Sequence, residues 1–151
     1  MRASWLLGAV AAVVAVPAPA AAQRLDLSVS PSVISFPDAD PDAVPVIASV
    51  PVTVTYRIGG NPTTWRLTVL ASGDLISGSA TVDISNITWL ATPAPPFQSG
   101  TLSKTVAQTV ASGVGNVNPA QTGSITFLLA NAWTYTTGTY TQTIVFTLSA
   151  P

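Results

Sequence analysis

The chain has 151 residues, a formal net charge of −1, charged side chains at only 7% of positions, and neither cysteine nor histidine. These absences exclude disulfides, lipid attachment through an acylated cysteine, Ser-His-Asp and Cys-His catalysis, and the usual nitrogen and sulfur ligands of zinc. Glutamate is missing as well, and the few Lys and Arg form no cluster, so a nucleic-acid partner is not expected.

Arg2 is followed by an apolar run from Trp5 to Val16, broken only by Gly8 and ended by Pro17 and Pro19. Ala20-Ala21-Ala22 then supplies a small-residue cleavage site before Gln23. This pattern predicts a secretory signal peptide over residues 1–22 and a mature domain over residues 23–151. The prolines cut the run short of the roughly 20 apolar residues that a spanning helix needs, so the mature protein is expected to be secreted and not to span a membrane. It retains Arg24, Arg57, Arg66 and Lys104 against aspartates 26, 38, 40, 42, 74 and 83.

Beyond the leader, apolar residues recur with period two, the signature of half-buried strands, and no window sustains helical spacing. Leu25, Leu27 and Val29 alternate with polar residues; Pro31 interrupts; Val33 to Phe36 resumes, giving one early strand bent or broken at the proline. Phe36 to Pro45 holds three prolines and three aspartates and reads as a loop. Val50, Val52, Val54, Tyr56 and Ile58 predict a strong strand whose start, at Pro51, lies on a sheet edge. Gly59-Gly60-Asn61-Pro62 turns the chain into a strand carrying Trp65, Leu67 and Val69, and Ser72-Gly73-Asp74 turns it again. Between Thr81 and Thr92 the parity changes from Ile84 to Ile87, which predicts a bulge or short turn at Ser85-Asn86. Leu102 to Ala111 is read as a strand, although Leu102, Val106 and Val110 also fit a helical spacing. Gly113 to Gly123 is read as a loop, Ile125 to Leu129 as a strand, and Asn131 to Gly138 as a connection. Tyr140, Gln142, Ile144, Phe146 and Leu148 share one face of a long last strand, with Gln142 near its exposed start.

Seven to eight short strands separated by turn signals predict an all-β protein, an Ig-like Greek-key β-sandwich, with a closed barrel as the competing architecture. Trp65, Trp89 and Trp133 are expected as core anchors.

Trp65-Arg66-Leu67-Thr68-Val69 and the closing segment from Gly138 to Pro151 resemble the WxL domain of bacterial surface proteins. Phe146-Thr147-Leu148 stands where that family has a second W-x-L. The resemblance implies an Ig-like sandwich attached noncovalently to the cell wall, with Trp65, Leu67, Phe146 and Leu148 as motif positions of structural or wall-binding role. Gly138-Thr139-Tyr140-Thr141 and its alternating tail also resemble the last strand of spore-coat-U-type and chaperone–usher pilins. This chain lacks their cysteine pair and their aromatic residue beside the C-terminus, and its strand count reads as complete without a donated strand.

Candidate chemistry is sparse. Asp38, Asp40 and Asp42 alternate in a loop as calcium ligands can, but the EF-hand positions for Gly and Glu are unfilled, and Asp-Pro pairs are ordinary turn formers. Asp74 and Asp83 are the two carboxylates that could pair as those of a glycosidase do. Asn86-Ile87-Thr88 spells a glycosylation sequon. No catalytic activity and no cofactor are expected. The sequence predicts a secreted structural or adhesive protein of the bacterial cell surface, with a cell-wall polymer, other surface proteins or further copies of itself as partners. Two other functions remain open. One is a fibre subunit assembling by strand exchange, in which Gln23 to Phe36 would protrude. The other is a carbohydrate-binding module using Trp133 and Tyr135.

Overall fold

A computed structural model describes the backbone of residues 4–7 and 10–14 and all of residues 23–151. Apart from one 3-10 turn at Ile84–Asn86, the regular structure is β throughout. Within the stretch read as a leader run two short strands, β1 (Ser4–Leu7) and β2 (Val10–Val14); Arg2, Pro17, Pro19 and the alanine cleavage site lie outside the described residues. The early strand is split at Pro31 into β3 (Arg24–Ser30) and β4 (Ile34–Phe36). After the Pro/Asp loop come β5 (Val46–Ala48), β6 (Val52–Gly59), β7 (Trp65–Ala71) and the hairpin β8 (Leu75–Ser77) and β9 (Ala80–Val82). The chain continues with β10 (Ile87–Thr92), β11 (Gly100–Thr101), β12 (Gln108–Gly113), β13 (Val117–Ala130), β14 (Thr139–Tyr140) and β15 (Ile144–Ser149).

Two sheets face each other. One is antiparallel, in the order β11-β10-β13-β6-β3, with β5 also paired to β13. The other runs β12-β7-β15-β2. The chain alternates between them, β6 to β7, β10 to β12, β13 to β15, so each sheet's interior strands come from distant parts of the sequence. The alternation read from the sequence is the alternation of burial: Val52, Val54, Tyr56 and Ile58 of β6, Trp65, Leu67 and Val69 of β7, and Ile144, Phe146 and Leu148 of β15 all point into one core. Burying these rows supplies the main favourable term for a domain that has no disulfide.

Glycine solves the fit of the aromatic rings. Gly113 lies directly across from Trp65 and Gly100 across from Trp89, and each indole covers its glycine so closely that a Cβ there would fall within 2.6 Å of ring carbons. Phe97 covers Gly123 in the same way. Phe97 meets Tyr56 edge-on at 5.7 Å, and Tyr56 meets Trp65 at 5.1 Å, so three rings from three regions of the chain form one cluster. Trp89 Nε1 donates to the Gln98 carbonyl at 2.8 Å, whereas Tyr56 Oη and Trp65 Nε1 are shielded from solvent with no partner among the described residues. Ser49, a buried polar residue, accepts from the Phe127 N–H and donates to the Val50 carbonyl.

Several expectations are corrected. Gly113 to Gly123 is largely strand: Val117 to Gln121 pairs with β6 across a bulge, between the pairs Val117–Ile58 and Gln121–Tyr56. Leu102 to Ala107 is irregular, with Val106 exposed, and β12 starts only at Gln108. The start of β6 is no sheet edge; the strand lies between β13 and β3, and Pro51 precedes it. Trp133 is not a core anchor but 53% exposed. The long last strand is broken at Thr141 to Thr143, and Gln142 is only partly exposed, its amide turned onto the Asp74 carbonyl at 2.5 Å.

Candidate functional site

The run from Thr139 to Ser149 is built by its first and last residues. Tyr140 is buried, and its hydroxyl bonds Thr136, donating to the carbonyl at 3.1 Å and lying 2.8 Å from Oγ1, which closes the preceding connection. Thr141 exchanges two backbone hydrogen bonds with Ile76, and the Thr143 carbonyl accepts from the Ser72 N–H at 2.9 Å. Beyond that, β15 pairs antiparallel with β7, from Ile144 opposite Ala71 to Ser149 opposite Arg66.

The other side of this run belongs to the N-terminal segment. Ser4 and Trp5 pair in parallel with Thr139 and Tyr140, and Val10 to Val14 pair in parallel with Ile144 to Leu148. β1 also pairs antiparallel with β4, Trp5 opposite Phe36 and Leu7 opposite Ile34, so it lies between β4 and β14. The expectation of a strand count complete without an added strand is thereby corrected. Residues 23–151 leave a gap between β4 and β14–β15, and the segment read as a leader fills it. With that segment in place, Ile34, Phe36, Tyr140, Ile144, Phe146 and Leu148 are each at most 2% exposed. None of these is charged, and an uncovered edge of this kind offers both unpaired backbone groups and apolar side chains.

Gln23 to Phe36 does not protrude. β3 pairs with β6 at seven positions from Arg24–Gly59 to Ser30–Thr53, and Leu25, Leu27 and Val29 pack against the core. Arg24 and Asp26 form an exposed ion pair on its outer face.

The motif positions Trp65, Leu67, Phe146 and Leu148 are all buried, and Leu67 and Leu148 are directly paired across β7 and β15. They are part of the core of the sandwich. Trp133 and Tyr135 sit in the connection before β14. Trp133 Nε1 donates to Asp42 at 3.1 Å, and Tyr135, partly buried, donates to the Ala130 carbonyl at 3.1 Å. Burial raises the Tyr135 hydroxyl above its ordinary pKa.

The acidic loop does not gather into a cation site. Asp40 Oδ1 accepts from the Asp42 backbone N–H at 2.9 Å, Asp42 faces Trp133, and among the described residues no group of three carboxylates able to hold a metal forms. Asp74 and Asp83 are brought together, but by Lys104, whose ammonium lies 2.6 Å from one and 3.4 Å from the other. Asp83 is held below the usual carboxylate range first by its bonds from Ser85, then by Lys104; Lys104 is raised above its ordinary value first by its bond to Asp74. Two carboxylates bridged by one cation tie the β7–β8 turn to the 3-10 turn and the 102–107 loop. Asn86 of the sequon donates to the Asp83 carbonyl.

A scan against protein-family models finds no match. A comparison with curated proteins finds none either. Among the described residues no helix is long and apolar enough to cross a membrane.

Proposed function

We propose that this chain is a secreted, non-catalytic structural subunit of the cell surface whose sandwich is completed by a strand added at the β14–β15 edge. One observation carries the reading: the segment paired along that edge has the composition of an export leader, and its removal opens seven register positions beside buried apolar residues. An unpaired edge above an apolar groove is the acceptor geometry of strand addition, in which main-chain bonds give affinity and alternate side chains give specificity. The charge-poor surface, with charged residues at 7% of positions, suits close packing with neighbouring molecules.

The test is hydrogen exchange on the secreted form, with attention to those amides of Ile144 to Leu148 that do not bond β7. Fast exchange there, beside protected amides in β6 and β7, is the expected result. Full protection in a monomer without the leader would refute the reading.

A second reading, glycan binding, is favoured by the exposed indole of Trp133 held by Asp42. Isothermal titration with wall-derived oligosaccharides decides it: Trp133→Ala must abolish any binding observed.

A further inference from the structure

Resting on that reading, we infer that the strand closing the β14–β15 edge of the mature protein comes from a different secreted polypeptide, not from a second copy of this chain. The occupant's chemistry is read from the edge itself. The edge it covers is the one away from β7, and there Val10 to Val14 run parallel to β15. It must be long enough to pass β14 and β15 in turn, over the Thr141–Thr143 break. It must be uncharged where it meets the groove, since Ile34, Phe36, Tyr140, Ile144, Phe146 and Leu148 offer no counter-charge. Ser4–Leu7 and Val10–Val14 lie on the edge without a single ionisable side chain, and Ala12 is in register with Phe146.

A second copy has no such strand to spare at its N-terminus. Cleavage after Ala22 leaves one residue, Gln23, before β3. β3 is the first alternating segment, and all seven of its positions are paired to β6, with Leu25, Leu27 and Val29 on the core. To donate it, a copy would strip β6 of a neighbour and open its own sheet in order to close another's. β3 also carries Arg24 and Asp26, which the leader strand has no equivalent of. The next segment, Pro37 to Pro45, has three prolines and cannot supply a ladder of N–H groups. A donor from elsewhere, with a free uncharged alternating strand, pays no such penalty.

The experiment uses the mature chain, Gln23 to Pro151, with a synthetic peptide of residues 4–14 as the stand-in donor. Light scattering over a concentration series is expected to show a monomer, and the peptide is expected to bind one to one, raise the melting temperature and protect those amides of Ile144 to Leu148 that do not bond β7. The peptide variant Ala12→Asp is expected to bind about 100-fold more weakly or worse, because it sets a carboxylate in register with Phe146, beside which the groove offers no counter-charge. If the mature chain does not fold alone, gain of β-sheet circular dichroism on adding the peptide is the readout. A photo-cross-linker at Thr147, introduced in the producing cell, is expected to yield an adduct whose peptide map contains a foreign sequence. Ladders of the mature chain alone, or adducts at multiples of its own mass, overturn this inference and leave the strand-accepting function standing. Absence of peptide binding with the edge amides already protected overturns both.

Discussion

Gly123→Ala is the sharpest probe of how the core is assembled. A methyl group built at this position falls 2.4 Å from Cε2 and Cζ of Phe97 and 2.6 Å from Cδ2. Phe97 is 1% exposed and cannot retreat, because Tyr56 stands edge-on behind it at 5.7 Å. Tyr56 is itself backed by Trp65 at 5.1 Å, whose ring is pressed onto Gly113. Overpacking of this kind costs about 1–3 kcal/mol, and the reduced backbone freedom of alanine in the unfolded chain returns about 0.5–1 kcal/mol. Taking the middle of each range, the net loss is about 1 kcal/mol, which lowers Tm by about 3–5 °C in a domain of this size. Thermal and urea denaturation of the mature chain, followed by circular dichroism, measure it. Phe97→Leu in the same background should recover part of the loss, so that the two changes are non-additive. A Gly123→Ala protein that melts at or above the parent temperature, or a double variant whose losses simply sum, would refute the ring-on-glycine account.

Four further variants have expected outcomes. Tyr56→Phe removes a buried hydroxyl without a partner among the described residues, and such groups cost about 1–3 kcal/mol, so the variant should be at least as stable as the parent at neutral pH. Burial pushes the Tyr56 hydroxyl up to about 12, so its contribution is complete below the ordinary value near 10 and lost as pH rises toward 12; Tm compared at pH 9 and pH 11 should fall less in Tyr56→Phe. Ser49→Ala leaves the buried Phe127 N–H without its side-chain acceptor and should cost about 1–3 kcal/mol in urea denaturation with an unchanged m-value. Lys104→Met should barely shift Tm in physiological salt, since its ion pairs are solvent-exposed. Asp83, whose pKa is depressed, stabilises the fold above the ordinary carboxylate pKa and loses that contribution as pH falls, so Asp83→Asn should flatten the acid limb of the Tm–pH curve.

The strands with clean alternation were legible because each buries one face only. β6, β7 and β15 follow the rows Val52 to Ile58, Trp65 to Ala71 and Ile144 to Leu148. The first half of β13 was not legible, because Asn118, Pro119 and Gln121 are turn-forming or polar residues, and the ladder is held on either side of the bulge by the pairs Val117–Ile58 and Gln121–Tyr56, about sixty positions apart in sequence. Gly113 looked like a breaker and is a strand residue because Trp65 covers it. The exposure of Trp133 follows from Asp42, a partner fixed only by the fold. The candidate site was hidden for a different reason. A homogeneous apolar run has no period, so the same residues spell a leader and a strand that suits a groove. What the sequence carried was half of the site, the apolar row of β15; the gap beside it is a property of topology.

The unequal surroundings of the tryptophans give residues 23–151 a built-in optical reporter. Trp65 and Trp89 lie in the core, the indole of Trp89 bonded to a carbonyl, while Trp133 stands in solvent. Intrinsic fluorescence is therefore the sum of a blue-shifted pair and one red-shifted emitter. Acrylamide reaches only the latter in the native state, and the difference spectrum isolates the loop at Asp42 without any label.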